Sequence, residues 1–193
     1  MRQMLDYPLD ASVMSHGSRS HIHQPERGRM NNPKRILVVG HGRVGKDTAC
    51  EYLAEITELR FAGTTSLYLA KFVADRLGVS EQEAYRTRHQ NRNLWHRVGK
   101  EVRKKDPGLL LRESLANAEI VGGIRDLEEM AVCRQERLVD LVVWINNDRV
   151  PADSTVKFSE RDCDISVPNH WSLEEFQRRL LQLAQFAGLP LRA

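Results

Sequence analysis

The chain has 193 residues and a mass of 22.2 kDa, enough for one domain with a core of its own. Apolar residues make up 41% and charged residues 28%, the proportions of a soluble globular protein, and a net charge of +3 is too slight to argue nucleic-acid binding by itself. Cys50, Cys133 and Cys163 are far apart and odd in number, which argues against a disulfide framework or a zinc site and for reduced thiols.

No apolar run approaches the roughly 20 residues needed to span a membrane, and the N-terminus lacks the apolar core of a signal peptide. A cytoplasmic protein with no membrane partner is expected. Residues 1–33 are rich in Ser, His, Arg, Gly and Asn, so they are expected to form a disordered leader. Met14 and Met30 are alternative starts within it. His16, His21 and His23 are too few and irregular to favour a metal or nucleic-acid arm.

From Arg35 onward strands and helices alternate. "RILVVG" reads as a buried strand. Lys46 to Leu59 reads as a helix with Ala49, Tyr52, Leu53 and Ile56 on one face. A short strand near "RFAGTTS" precedes a helix from Ser66 to Leu77, which Gly78 ends. A polar helical stretch follows from about Glu81 to Lys105, then a helix in "DPGLLLRESLANA" with Pro107 near its start. "EIVGGI" is a strand, Leu127 to Arg137 a helix, and "VDLVVWIN" a strong strand carrying Trp144. A polar loop and a short extended piece, "CDISVPN", lead to a closing helix. Ser172 caps that helix, Glu175 is placed to complete a capping box, and Trp171 is placed to act as a hydrophobic staple. Near-continuous apolar strands separated by helices predict a parallel sheet covered on both faces.

Gly40-His41-Gly42-Arg43-Val44-Gly45-Lys46 fits G-x-x-x-x-G-K between a buried strand and an amphipathic helix. Glycines let backbone N–H groups close around an anion, the helix start adds its positive dipole end, and Lys46 adds a point charge. Asp47 stands where a Ser or Thr hydroxyl is usual, and Thr48 follows it. A carboxylate is a good hard ligand for Mg²⁺, and an acid in the first helical turn is also stabilising without any metal.

A second signal lies in "RTRHQNRNLWHRVGKEVRKKDP". On one helix Arg103 falls about 20° around from Arg92, with His96 and Gly99 on the same stripe. Leu94, Trp95, Val98 and Val102 form a separate apolar face. Paired guanidiniums suit phosphate oxygens, and Gly99 between them suits the approach of a flat ligand. Arg125 sits just past the end of the strand "EIVGGI", the edge where doubly wound sheets bind ligands, with Glu129 one turn on to hold its guanidinium.

Together these pieces resemble the P-loop kinases of nucleoside monophosphates, most closely the deoxynucleoside monophosphate kinases typical of bacteriophages. Gly45-Lys46-Asp47-Thr48 matches that group's Gly-Lys-Asp-Thr. Arg92-x-Leu94-Trp95-x-x-x-Gly99-x-x-x-Arg103 resembles its substrate helix, and Ile124 to Glu129 its strand-end arginine followed by an acid. "DISVPNHWSLEEF", with Asn169, resembles a tail shared with dephospho-coenzyme A kinases. The likeness spans about Arg35 to Ala187.

The resemblance implies an α/β three-layer P-loop kinase fold over residues 34–193. It has a helical acceptor-binding region at about 80–118 and a short lid at about 147–162. It implies ATP and Mg²⁺ as cofactors and a (deoxy)nucleoside monophosphate as the small-molecule partner. Gly40, Gly42, Val44, Gly45, Lys46, Asp47 and Thr48 would hold the nucleotide, with Asp47 and Thr48 toward the metal. Arg92, Gly99, Arg103 and Arg125 would hold the acceptor. Lys46, Arg125 and Arg161 would serve catalysis, with a plain surface role as the alternative for Arg161. No nucleic-acid partner is expected, and a homodimer is left open. The departure is at Gly122 and Gly123, where such strands often carry an acid. Two further readings stand beside this one: a kinase of another small metabolite, as in dephospho-coenzyme A kinases, and a nucleotide-binding switch without kinase chemistry.

Overall fold

The computed structural model describes residues 34–193; the leader expected over 1–33 lies outside the described residues. The described strands are β1 (Ile36–Val39), β2 (Phe61–Thr64), β3 (Ile120–Gly122), β4 (Leu141–Asn146) and β5 (Ile165–Pro168). The helices are α1 (Lys46–Ile56), α2 (Thr65–Leu77), α3 (Glu81–Arg86), α4 (Arg92–Lys105), α5 (Leu109–Leu115), α6 (Leu127–Gln135) and α7 (Leu173–Phe186).

The strands form one five-stranded sheet in the order β2-β3-β1-β4-β5, with every pairing parallel. Ile36 aligns with Ile120 on one side and Leu141 on the other, and Val143 aligns with Ile165. Because side chains alternate along a strand, β1 and β4 feed two cores at once. Ile36, Val38, Leu141, Val143 and Ile145 pack with Ala49, Cys50 and Leu53 of α1 and Phe176, Leu180 and Leu183 of α7. Leu37, Val39, Val142 and Trp144 pack instead with Leu111 and Leu115 of α5 and Met130 and Cys133 of α6. Helices therefore cover both sheet faces, which is why the central strands read as unbroken apolar runs. Each fully buried Leu or Ile contributes on the order of 1.5–3 kcal/mol. A third cluster joins α2, α3, α4 and α5 through Leu69, Val73, Trp95, Val98 and Leu110. No described helix is long and apolar enough to cross a membrane.

Several local expectations change. The helical stretch from Glu81 to Lys105 resolves into two helices, with a turn between Arg86 and Arg92. There the backbone tightens to bonds three residues back, Arg88 N to Tyr85 O at 3.2 Å and Gln90 N to Thr87 O at 2.9 Å, while Thr87 Oγ1 adds a second donor to Glu83 O at 2.8 Å. Helix α1 stops at Ile56, where Thr57 Oγ1 donates to Leu53 O and the chain's C-terminal strap pairs with the exit through Glu58 N to Pro190 O. Ser172 Oγ accepts from Glu175 N at 3.3 Å, but the Glu175 carboxylate goes to Arg178 and Arg179, so the capping box is only half formed. Trp171 is no staple: it is 55% exposed, with the Arg179 guanidinium 4.3 Å from its ring centre.

Candidate functional site

The loops that follow β1, β3, β4 and β5 all leave the same carboxyl edge of the sheet. β2 lies to one side of β1 and β5 to the other side of β4, so the strand order reverses beside this edge, the place where doubly wound sheets bind ligands.

The loop after β1 is shaped by two glycines. Gly40 has φ +144°, and a Cβ on it would lie 2.5 Å from Ile145 O. Gly45 has φ +97°, and a Cβ on it would lie 2.5 Å from the Asn169 amide nitrogen. Neither position accepts a side chain without displacing its neighbour. Val44 turns its side chain into the core, while its carbonyl accepts from Asn169 Nδ2 at 2.9 Å. The loop is thus fixed at its base and stitched to the segment after β5. Helix α1 begins at Lys46, so its first N–H groups have no intrahelical carbonyl to bond and face the loop mouth.

The Lys46 ammonium folds back and donates to His41 O. Burial pulls its pKa below the usual lysine range, and the Arg125 charge adds to this, with Asp47 and Asp153 opposing. The amine is therefore a cation short of solvation, the condition under which a second anion is most welcome. Asp47 is exposed and Thr48 half-buried in the first turn of α1. Together they offer one carboxylate and one hydroxyl, hard donors of the kind Mg²⁺ uses alongside phosphate oxygens. Gly122 is closely packed, since a Cβ on it would lie 3.1 Å from Thr64 Cγ2 and 3.3 Å from Cys50 Sγ.

The arginine row is split. Arg92 opens α4 and is exposed, without an ion pair among the described residues. Arg103 is only 14% exposed, its Nε 2.6 Å from Asp126 Oδ2 and 3.8 Å from Glu129 Oε2. Gly99 is buried, and the space above it is filled by the Arg103 guanidinium and Leu69, so it serves close packing rather than a flat ligand. Glu129, 3% exposed, does not grip the Arg125 guanidinium. Its Oε2 accepts the backbone N–H of Arg125 at 2.8 Å and of Asp126 at 3.0 Å, which fixes the strand-to-helix turn and leaves the Arg125 head free to reach outward. His96 lies within the field of Arg125, Arg92 and Arg103. Its pKa falls below the usual value, first from burial and then from those charges, with Asp153 opposing.

The connection between β4 and β5 contributes Asp153, which sequence reasoning did not single out. Its N–H donates to His41 Nδ1 at 3.1 Å, and its Oδ2 accepts from Arg125 Nη1 at 3.0 Å. The same Nη1 donates to Thr155 Oγ1, and Lys157 N donates to Arg125 O at 2.8 Å. Burial raises the Asp153 pKa, but hydrogen bonds from Thr155 and then from Arg125 outweigh it and hold the carboxyl below the usual range. The D-x-T spacing signals a local Asx turn, seen here as Thr155 N to Asp153 Oδ1 at 3.0 Å. The contact with Arg125, 28 positions away, leaves no trace in the sequence.

Arg161 is not brought to this edge. It is exposed on a 3₁₀ turn, Glu160–Asp162. That turn ends where Asp164 N donates to Val142 O, beside the start of β4, and where Arg134 at the far end of α6 holds Asp164. The chain has by then run back to the amino edge of the sheet. Arg149, exposed in the first part of the lid, is the arginine that follows β4 at the carboxyl edge.

Lys46, Arg125, His96 and Asp153 thus meet at one junction, with the glycine loop on one side and α4 on the other. No group of three or more His, Cys, Asp or Glu among the described residues is placed to hold a metal ion by protein ligands alone. No protein-family model matches the chain, and no curated protein matches it.

Proposed function

We propose that the protein transfers the γ-phosphoryl group of ATP to the phosphate of a (deoxy)nucleoside monophosphate. The observation that carries this reading is the junction at Arg125. An anion cradle with a desolvated lysine and a cluster of guanidiniums open onto the same sheet edge, so two phosphate-bearing ligands can be set against each other. A protein that bound one nucleotide and did nothing further would have no need of the second cluster.

In such a transfer the protein does little covalent work; it positions two anions in line and offsets their repulsion. Gly40, Gly42, Val44, Gly45 and Thr48 contribute the loop and first-turn backbone that receives the donor's phosphates, with Lys46 in charge contact. Asp47 and Thr48 would supply oxygen donors toward Mg²⁺, which would offset negative charge on the transferring phosphates. Arg92 and Arg125 hold the acceptor phosphate, while Arg103 braces α4 against Asp126 and Glu129. An ionised phosphate needs no general base, and none is assigned. Arg149 takes the lid position that Arg161 does not reach.

A coupled ADP-release assay over the common nucleoside monophosphates, with ATP and Mg²⁺, tests the reading. At least one acceptor should yield its diphosphate, and Lys46→Ala should lower kcat by two to three orders of magnitude, as losing a transition-state contact of about 3–4 kcal/mol does. Unchanged turnover in Lys46→Ala would refute the assignment. The packed Gly122, which leaves no carboxylate on β3, favours one second reading, a nucleotide-binding switch. Binding of Mg-nucleotide without transfer to any acceptor selects it.

A further inference from the structure

We propose that Asp153 is a built-in competitor for phosphate: its carboxylate takes the face of Arg125 and the mouth of the glycine loop that ligand phosphates use, so that filling the loop releases Arg125 for the acceptor. This rests on the two-anion reading above and adds a coupling between its two subsites.

Three contacts place Asp153 against both subsites at once. Its Oδ2 accepts from Arg125 Nη1 at 3.0 Å. The same oxygen lies 3.1 Å from the position of a Cβ on Gly42, directly over the loop. Its N–H is tied to His41 Nδ1, the side chain of the residue whose carbonyl receives Lys46. A carboxylate in that position neutralises the cations a phosphate would meet, and a phosphate entering the loop would face it at close range. Like charges at such distances repel strongly, so one of the two anions has to leave.

The surroundings decide which one moves. Arg125 is held from behind, its backbone N–H by Glu129 and its carbonyl by Lys157. The lid is anchored further along by Phe158, buried against Trp144, and by Val156. Between β4 and that anchor, Pro151, Ala152 and Ser154 are exposed. The lid tip that carries Asp153 is therefore the part free to swing, while Arg125 stays in place. Once the carboxylate lifts away, the guanidinium fork is offered to the second phosphate. Donor and acceptor binding are then mutually favourable, with the same coupling factor in both directions.

Calorimetry with inorganic tripolyphosphate for the loop and inorganic phosphate for the arginines tests this. In the unaltered protein, saturating tripolyphosphate should tighten phosphate binding about tenfold, the scale of one charge-assisted hydrogen bond freed from competition. In Asp153→Asn, phosphate should bind about tenfold more tightly without tripolyphosphate, and the coupling should vanish. Thr155→Val, which loosens the turn that aims Asp153, should show the same change in part. Phosphate binding in Asp153→Asn that is unchanged or weaker overturns the proposal, since the carboxylate would then be neutral toward the anion or helping it. The two levels separate cleanly. If the unaltered protein ignores tripolyphosphate, the two-anion reading and the coupling both fall. If it binds tripolyphosphate but Asp153→Asn changes nothing, only the coupling falls.

Discussion

Gly45→Ala gives the sharpest test of how the cradle is built. Gly45 holds φ +97° and ψ 23° at the N-cap of α1, in the left-handed region that costs an L side chain about 1–2 kcal/mol. Its added Cβ would lie 2.5 Å from Asn169 Nδ2, well inside contact distance. Asn169 would have to move and give up its 2.9 Å hydrogen bond to Val44 O, at about 1 kcal/mol. The loss should therefore be about 2–3 kcal/mol. Gly78→Ala is the matched control, because Gly78 also has positive φ, +67°, yet its Cβ would meet nothing within 4 Å. That variant should lose only the backbone share, about 1–2 kcal/mol. Urea denaturation at neutral pH measures both, and for a chain of this size each kcal/mol corresponds to about 2–4 °C in Tm. Tripolyphosphate affinity should fall about tenfold or more in Gly45→Ala and stay unchanged in Gly78→Ala. Equal stability losses in the two variants would show that the Asn169 contact plays no part in shaping the loop.

The two ends of the arginine row should behave differently. Arg103→Ala removes the 2.6 Å partner of Asp126 and the more distant cation beside Glu129, which keeps its two backbone donors, and should cost about 1–3 kcal/mol of stability. Arg92→Ala, at an exposed residue, should stay within about 0.5 kcal/mol while weakening phosphate binding; parallel denaturation and calorimetry separate the two. For His96 the folded pKa lies below the usual 6.5, so between the two values the unfolded chain binds more protons and stability rises with pH up to about 6.5. NMR titration should find its midpoint low and shifted upward by added phosphate, which offsets the arginine charges; no response to phosphate would remove His96 from the acceptor subsite. Asp153 has the opposite titration chemistry. Its folded pKa is below the usual 3.8, so the stability it contributes is present above that value and is lost as pH falls through the folded one. Asp153→Asn should therefore be less stable than the parent at pH 7, with the gap narrowing steadily as pH falls below 3.8 in acid titrations of denaturation midpoint.

The fold was legible where burial alone dictates pattern. "RILVVG" and "VDLVVWIN" read as buried strands because both faces of β1 and β4 are covered, and Ile36/Val38 and Leu37/Val39 each find a core. The glycine loop was legible because its spacing, strand and helix are contiguous in the chain. What failed was long-range or depended on local backbone geometry. The break at Thr87–Asn91 is a local tightening to backbone bonds three residues back, Arg88 N to Tyr85 O and Gln90 N to Thr87 O, which a propensity reading does not resolve. The 100° stripe put Gly99 beside Arg92 and Arg103, but no angle on one helix reveals that Leu69 of α2 fills the space above it. Arg161 lies within the same loop stretch as Asp153, and only the return of the chain to pair Ile165 with Val143 shows that the two reach opposite sheet edges.

The position of the acids follows from the same packing. On β3 a side chain at residue 122 would press on Thr64 and the buried Cys50 sulfur, so the strand end is tightly packed and carries no acid. Burial still lowers the Lys46 pKa, the nearby Arg125 charge adds to this, and negative charge must come from elsewhere to offset the two cations. Asp47 and Asp153 do this from a helix start and a loop. Asp47 sits exposed in the first turn of α1, where the helix dipole favours an acid. Asp153 sits on the lid, where it can withdraw. The acid at position 47 is thus the fixed half of a charge balance whose movable half is on the lid. Asp47→Ser, which restores the usual hydroxyl, should accordingly weaken Mg²⁺-dependent tripolyphosphate binding and leave metal-free binding equal or tighter. Loss of both in equal measure would mean that Asp47 serves only the helix.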